Sequence, residues 1–166
     1  MKLLAFDTSN QALSLAVLED EHLLAQTTLN IKKNHSITLM PAIDFLMNSL
    51  DMKPTDLDRI AVAQGPGSYT GLRIAVATAK TLAHTLKIEL VGVSSLLALI
   101  PEQVEGLVIP VMDARRNNVY AGFYQSGQAV RSEAHLPLVE VLEIAGAANQ
   151  PVTFVGETAA FAEQIE

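Results

Sequence analysis

AQGPGSYTGLRIAVATAKTLA, Ala63 to Ala83, is the stretch on which the reading of this chain turns. Three glycines and a proline fall within the seven residues Gly65–Gly71, between an apolar run that ends near Gln64 and a long apolar segment. A strand, a tight turn and a helix fit that order. Such turns often cradle phosphate, because the free N–H groups of a helix start attract anions.

The spacing matches neither common phosphate loop. A Walker loop needs lysine after its second glycine, and Leu72 stands there; a dinucleotide fingerprint needs a third glycine where Thr70 stands. Two readings stay open. In one, Asp7 and Ser9 of FDTS join Gly65, Gly67 and Arg73 as contacts to a nucleotide phosphate. In the other, the glycines only reverse the chain, with Ser68 or Thr70 capping the helix and Asp7 bonding nearby N–H groups.

The helix behind the turn is apolar nearly all round. Leu72, Ala75, Val76, Ala79, Ala83 and Leu86 form the expected core stripe, and charge is confined to Arg73, Lys80 and His84. A helix of this kind is buried on more than one side, either inside the protein or against a partner. The segment HSITLMPAIDFLMNSL has its own stripe, Leu39, Ile43, Leu46 and Leu50, with Met40, Phe45 and Met47 outside it. Pro41 belongs near the helix start or at a kink. Helices at about 36–50 and 70–86 thus make a candidate dimerisation surface: Leu39, Met40, Ile43, Met47, Leu72, Arg73, Ala75, Val76, Ala79, Lys80 and Ala83.

Outward from these helices, KLLAFDTS, ALSLAVLED and HLLAQTTLN read as a three-stranded antiparallel meander. IELVGVSS adds a strand and SLLALIPEQ a short helix. After Pro101–Gly106 the series restarts with strands in GLVIPVMDAR, NVYAGFYQ and QAVRSEAHL, a helix in LVEVLEIAGAA and a strand in VTFVGE. Strands and helices in this order make an α/β protein with mixed sheets flanked by helices. Two related lobes are expected, 1–100 for dimerisation and 101–166, the second clipped within the helix of ETAAFAEQIE. In MDARRNNVY, Asp113 and Arg115 either line a cleft or brace a hairpin tip through an Asp–Arg bridge.

Composition narrows the function. A net charge of −7 argues against a chain that grips nucleic acid alone, and the only adjacent basic pairs are Lys32–Lys33 and Arg115–Arg116. There is no cysteine, so disulfides and thiolate metal sites are excluded. The four histidines, His22, His35, His84 and His135, lack metal-site spacing, and no Gly-x-Ser-x-Gly elbow supports a hydrolytic triad. No membrane span or signal peptide is legible, and a cytoplasmic location is expected.

LLAFDTSN, GPGSYTGLRIAVATAKTLA, LVGVSSLLAL and VMDARRNNVY together resemble the TsaB family, also called YeaZ, over essentially the whole chain. The resemblance implies a two-lobed fold of the actin-like ATPase and ribonuclease H-like kind. It implies a paralogue of TsaD, the glycoprotease-like subunit that carries the catalysis when threonylcarbamoyl is placed on the adenosine beside the anticodon. TsaD and the ATPase TsaE become the expected partners, with a homodimer when alone and tRNA reached only indirectly. ATP or ADP at the partner interface is the one cofactor this leaves open. TsaD holds its catalytic metal with a His-x-x-x-His pair, and the matching positions here are Ser95 and Leu99. Leucine offers no ligand and serine a poor one, so neither a catalytic nor a metal residue is expected. The rival reading is a metal-dependent glycoprotease-like peptidase or an ATPase.

Overall fold

A computed structural model describes residues 1–30 and 35–165, so Lys32 and Lys33 lie outside the described residues. The chain forms two compact units, Met1–Ser95 and Leu96–Glu166.

In the first unit, β1 (Lys2–Asp7), β2 (Leu13–Glu19) and β3 (His22–Leu29) form the antiparallel meander. Then come α1 (His35–Ser49), β4 (Arg59–Ala63), α2 (Tyr69–Leu86) and β5 (Glu89–Val93). β4 pairs parallel with β1 and β5 parallel with β4, giving a mixed sheet of order β3-β2-β1-β4-β5. Alternation settles the faces: Leu4 and Phe6, then Leu13, Leu15 and Val17, then Ile60 and Val62 point into one core. Against them pack Leu39, Ile43, Leu46 and Met47 of α1 and Ala75, Ala79 and Ala83 of α2. Each large apolar side chain so buried contributes about 1.5–3 kcal/mol.

Ser68 begins α2, its Oγ accepting the Gly71 N–H at 3.3 Å. Lys87 ends it in the left-handed conformation, φ 58°, and donates its N–H to the Ala83 carbonyl. The buried positions of α2 are Gly71, Ala75, Ala79 and Ala83, one per turn and all small. A stripe this narrow lets the helix axis lie close to the strands. Pro41 sits inside α1, on its exposed side, where the missing N–H costs one helical bond.

The second unit contains β6 (Leu107–Asp113), β7 (Asn118–Gln125), β8 (Gln128–Pro137), α3 (Leu138–Gly146), β9 (Val152–Gly156) and α4 (Ala162–Ile165). Its sheet has the order β8-β7-β6-β9, with β7 antiparallel and β9 parallel to β6. β6 therefore takes the place that β1 has in the first sheet. It is buried from Leu107 to Met112, on both faces, as a central strand is.

Two helices expected from the sequence are shorter than their patterns suggest. SLLALIPEQ keeps only a 3-10 turn at Leu97–Leu99, since Pro101 biases Ile100 away from helical backbone. ETAAFAEQIE is a 3-10 turn at Ala159–Phe161 followed by α4. Among the described residues no helix is long and apolar enough to cross a membrane.

Candidate functional site

The Gly-rich turn gathers Asp7, Ser9, Gly65 and Gly67, but it does so by filling itself. The Ser68 N–H donates to the Ser9 carbonyl at 2.6 Å, and the Thr8 hydroxyl donates to the Gly71 carbonyl at 2.7 Å. A side chain at Gly67 would collide with Ser9, and one at Gly71 with the Thr8 carbonyl. These glycines admit the chain's own Thr8–Ser9 to the place a phosphate would need. The N–H groups of Gly71 and Leu72 are taken by the side chain and carbonyl of Ser68.

Asp7 is half-buried, its Oδ1 accepting the Ser9 N–H at 2.6 Å. The Ser9 hydroxyl is buried and has no hydrogen-bond partner among the described residues. Gly65 is held by Ser95: its N–H donates to the Ser95 Oγ at 3.1 Å, and its carbonyl accepts the Ser95 N–H at 2.8 Å. Within the turn, Asp7 Oδ1, the Ser9 backbone and both polar groups of Gly65 are engaged in internal hydrogen bonds, and Gly67 lies against Ser9.

Arg73 stands apart, exposed, with its guanidinium 5.6 Å from the Tyr69 ring centroid. Tyr69, Thr70, Arg73, Ile74 and Ala77 line an open groove of about 380 Å³ along the outer side of α2. On α1 the outward residues include Ile37, 67% exposed, Met40, 47%, and Phe45, 68%. α1 and α2 touch, and both cover one face of the first sheet.

The residues singled out from the sequence divide between the core and the surface. Leu39, Ile43, Met47, Ala75, Ala79 and Ala83 belong to the core of the unit. Of the eleven, Met40, Arg73 and Lys80 are exposed and Leu72 and Val76 are half-buried. α1 is apolar on two sides, and periodicity alone does not say which side meets the sheet. The exposed positions of α2, by contrast, are Tyr69, Thr70, Arg73, Ala77, Lys80, Thr81, His84 and Thr85, mostly polar, so that helix is less apolar outside than its composition suggests. Ile37, Met40, Phe45 and Tyr69 supply most of the outward apolar area, and Ile74, half-buried against the core, also lines the groove with the exposed Ala77. Large apolar residues beside the core stripe were the available signal.

In the second unit the Asp113–Arg115 bridge is replaced by a backbone bond. Asp113 Oδ1 accepts the Arg115 N–H at 2.7 Å, and Glu157 Oε2 accepts the Asp113 N–H at 2.8 Å. His135 packs its ring edge against Tyr120, and His35 Nε2 lies 3.0 Å from the Asn10 carbonyl. No cluster of three or more His, Cys, Asp or Glu is placed to hold a metal among the described residues.

Residues 22–166 match the family model described as TsaD, tRNA N6-adenosine threonylcarbamoyltransferase. A Bacillus subtilis protein named tRNA threonylcarbamoyladenosine biosynthesis protein TsaB is 43% identical across 99% of this chain and 75% of its own length. The Escherichia coli protein of the same name is 30% identical across 75% of this chain and 55% of its own. Among solved structures, YeaZ from Pseudomonas aeruginosa superposes with a TM-score of 0.74 at 35% identity, covering 82% of this chain and 66% of that one. The whole-chain identity, the family model and the shared fold agree. The chain belongs to the TsaB (YeaZ) family, in the group matched by the TsaD model, whose named members serve tRNA threonylcarbamoyladenosine biosynthesis.

Proposed function

We propose that this chain is a non-catalytic partner subunit in the transfer of threonylcarbamoyl to the adenosine beside the tRNA anticodon. Its outward α1–α2 surface docks a TsaD-type catalytic subunit, and a TsaE-type ATPase joins the assembly. The observation that carries this reading is the exposed apolar area of Ile37, Met40 and Phe45 next to the Tyr69–Ala77 groove. A soluble subunit gains by covering such a patch, and aromatic, Met and Arg residues are those enriched where proteins meet. Without the partner, the same surface pairs two copies of the chain.

The non-catalytic role is supported by donor chemistry at the positions of the TsaD histidines. Ser95 is fully buried and bonded to Gly65, and Leu99 carries no ligand atom. The net charge of −7 suits a subunit whose partner supplies most of the cationic surface for tRNA. The work is assigned to the cytoplasm, where the tRNA is.

Mixing the chain with TsaD-type and TsaE-type subunits tests the reading, with complex size and tRNA modification measured together. The expected result is modification only with all three present, and a complex lost when Phe45 becomes aspartate. Stoichiometric metal together with peptide or ATP hydrolysis by the isolated chain would overturn it in favour of a peptidase or ATPase. Calorimetry with ATP and ADP, with and without the partner, shows whether nucleotide binds only at the junction.

A further inference from the structure

We propose that the turn between β6 and β7 contacts tRNA directly, Arg115 and Arg116 each taking backbone phosphate oxygens of the RNA. The proposal rests on the reading of the chain as a subunit of the tRNA-modifying assembly. Arg115, Arg116 and Asn117 are three consecutive left-handed residues, with φ of 66°, 54° and 58°. Glycine takes this conformation at little cost and asparagine takes it readily, but arginine does so rarely. Strained backbone of this kind persists where the surroundings over-determine it, and it concentrates at working sites.

The surroundings here do over-determine it. The Ala114 N–H donates to the Asn118 carbonyl at 2.9 Å and the Asn118 N–H to the Arg115 carbonyl at 3.0 Å. Asn118 Nδ2 donates to the Arg116 carbonyl at 3.1 Å, and the Leu138 N–H, at the start of α3, donates to the Asn117 carbonyl at 2.9 Å. The carboxylates nearest in sequence and fold, Asp113 and Glu157, accept backbone N–H groups of the turn and its flank.

The side chains are the opposite case. Both arginines are exposed, and among the described residues neither guanidinium has an ion-pair or hydrogen-bond partner. The turn is thus a fixed mount for two unpaired planar cations. Guanidinium matches phosphate in bidentate geometry, so phosphate is the ligand chemistry it fits.

An RNA backbone suits the site better than a protein. The only apolar side chain between Asp113 and Asn118 is the half-buried Ala114, and protein interfaces draw their energy from desolvated apolar and aromatic anchors. An acidic chain does not hold tRNA with two arginines alone, so the contact adds to a cationic surface that the catalytic subunit provides.

The test uses the assembled complex carrying Arg115→Gly with Arg116→Gly, and in parallel Arg115→Lys with Arg116→Lys. Glycine relieves the backbone, so the expected result is an unchanged or higher melting temperature and unchanged complex size. Binding to unmodified tRNA is expected to weaken about tenfold at low salt, with the slope of log K against log salt shallower by roughly 1.5–2. The lysine pair is expected to keep most of the slope. Unchanged tRNA affinity and slope in the glycine variant would overturn the inference and leave the subunit reading standing. Loss of a protein subunit from that variant's complex would overturn it too, by making the turn a protein contact. If the parental complex fails to form or to bind tRNA, the subunit reading itself fails and takes this inference with it.

Discussion

Ser95 and Gly65 are joined by two hydrogen bonds, one through the Ser95 hydroxyl and one through its backbone N–H, at 3.1 and 2.8 Å. The serine is fully buried, so its hydroxyl works as an internal clamp on the Gly-rich turn. Ser95→Ala leaves the Gly65 N–H without that acceptor and is expected to lower unfolding free energy by about 1–2 kcal/mol in urea titration. Ser95→His, placed in the same closed space, is expected to destabilise the protein and to bind no metal. Stoichiometric zinc or iron in that variant would contradict the clamp.

The glycines of the turn are expected to differ sharply from one elsewhere. Gly71→Ala drives a methyl group into the Thr8 carbonyl and should cost about 2–4 kcal/mol, since neither backbone can retreat. Gly146→Ala, in α3 and with nothing near the added carbon, should be neutral or stabilising by up to about 1 kcal/mol. Equal losses at the two sites, read by denaturant titration, would remove the argument that Thr8–Ser9 fills the turn.

On α2, neighbours two residues apart should fail in different ways. Ala79→Glu puts a carboxylate into the core and is expected to unfold the first unit, visible as lost helical circular dichroism. Ala77→Glu, on the exposed groove, should leave the fold and melting temperature intact while abolishing pairing in analytical ultracentrifugation. A folded Ala77→Glu that still pairs would place the docking surface elsewhere.

The amino terminus gives a pH signature. The Met1 ammonium bonds Asp20 Oδ1 at 2.7 Å; the bond holds the ammonium above its ordinary 8.0 and the carboxyl below its ordinary 3.8. The carboxylate's share of stability is present above 3.8 and is lost as pH falls through its lowered value. The ammonium's share is present below 8.0 and is lost as pH rises through its raised value. Asp20→Asn should therefore lower the melting temperature slightly near neutrality, the gap closing in alkali. Both groups are exposed, so the effect is small.

The order of elements was legible because alternation and helical spacing are local properties. Leu13, Leu15 and Val17 point inward as their pattern predicts, and Ser68 caps the helix. The candidate site was less legible. Met47 and Phe45 look equivalent as residues beside the stripe of α1, yet one is buried and the other is 68% exposed. The choice depends on the angle at which α1 meets the strands, which no local spacing encodes. The glycines posed a similar problem. A turn that admits phosphate and one that admits the chain's own Thr8–Ser9 need the same missing side chains. The left-handed arginines gave no sequence signal, because that conformation is ordinarily announced by glycine.

The stripe of Gly71, Ala75, Ala79 and Ala83 has a mechanical consequence. Side chains this small let the α2 backbone approach the strands closely, while Ile74, Val76 and Leu82 pack against the core beside the stripe, so rotation or sliding of the helix would displace packed side chains. A partner arriving on the outer side meets a surface already in its final shape, and association needs little reordering there. Free and bound forms should accordingly show the same hydrogen-exchange protection along the inner side of α2, with any change confined to the outer groove.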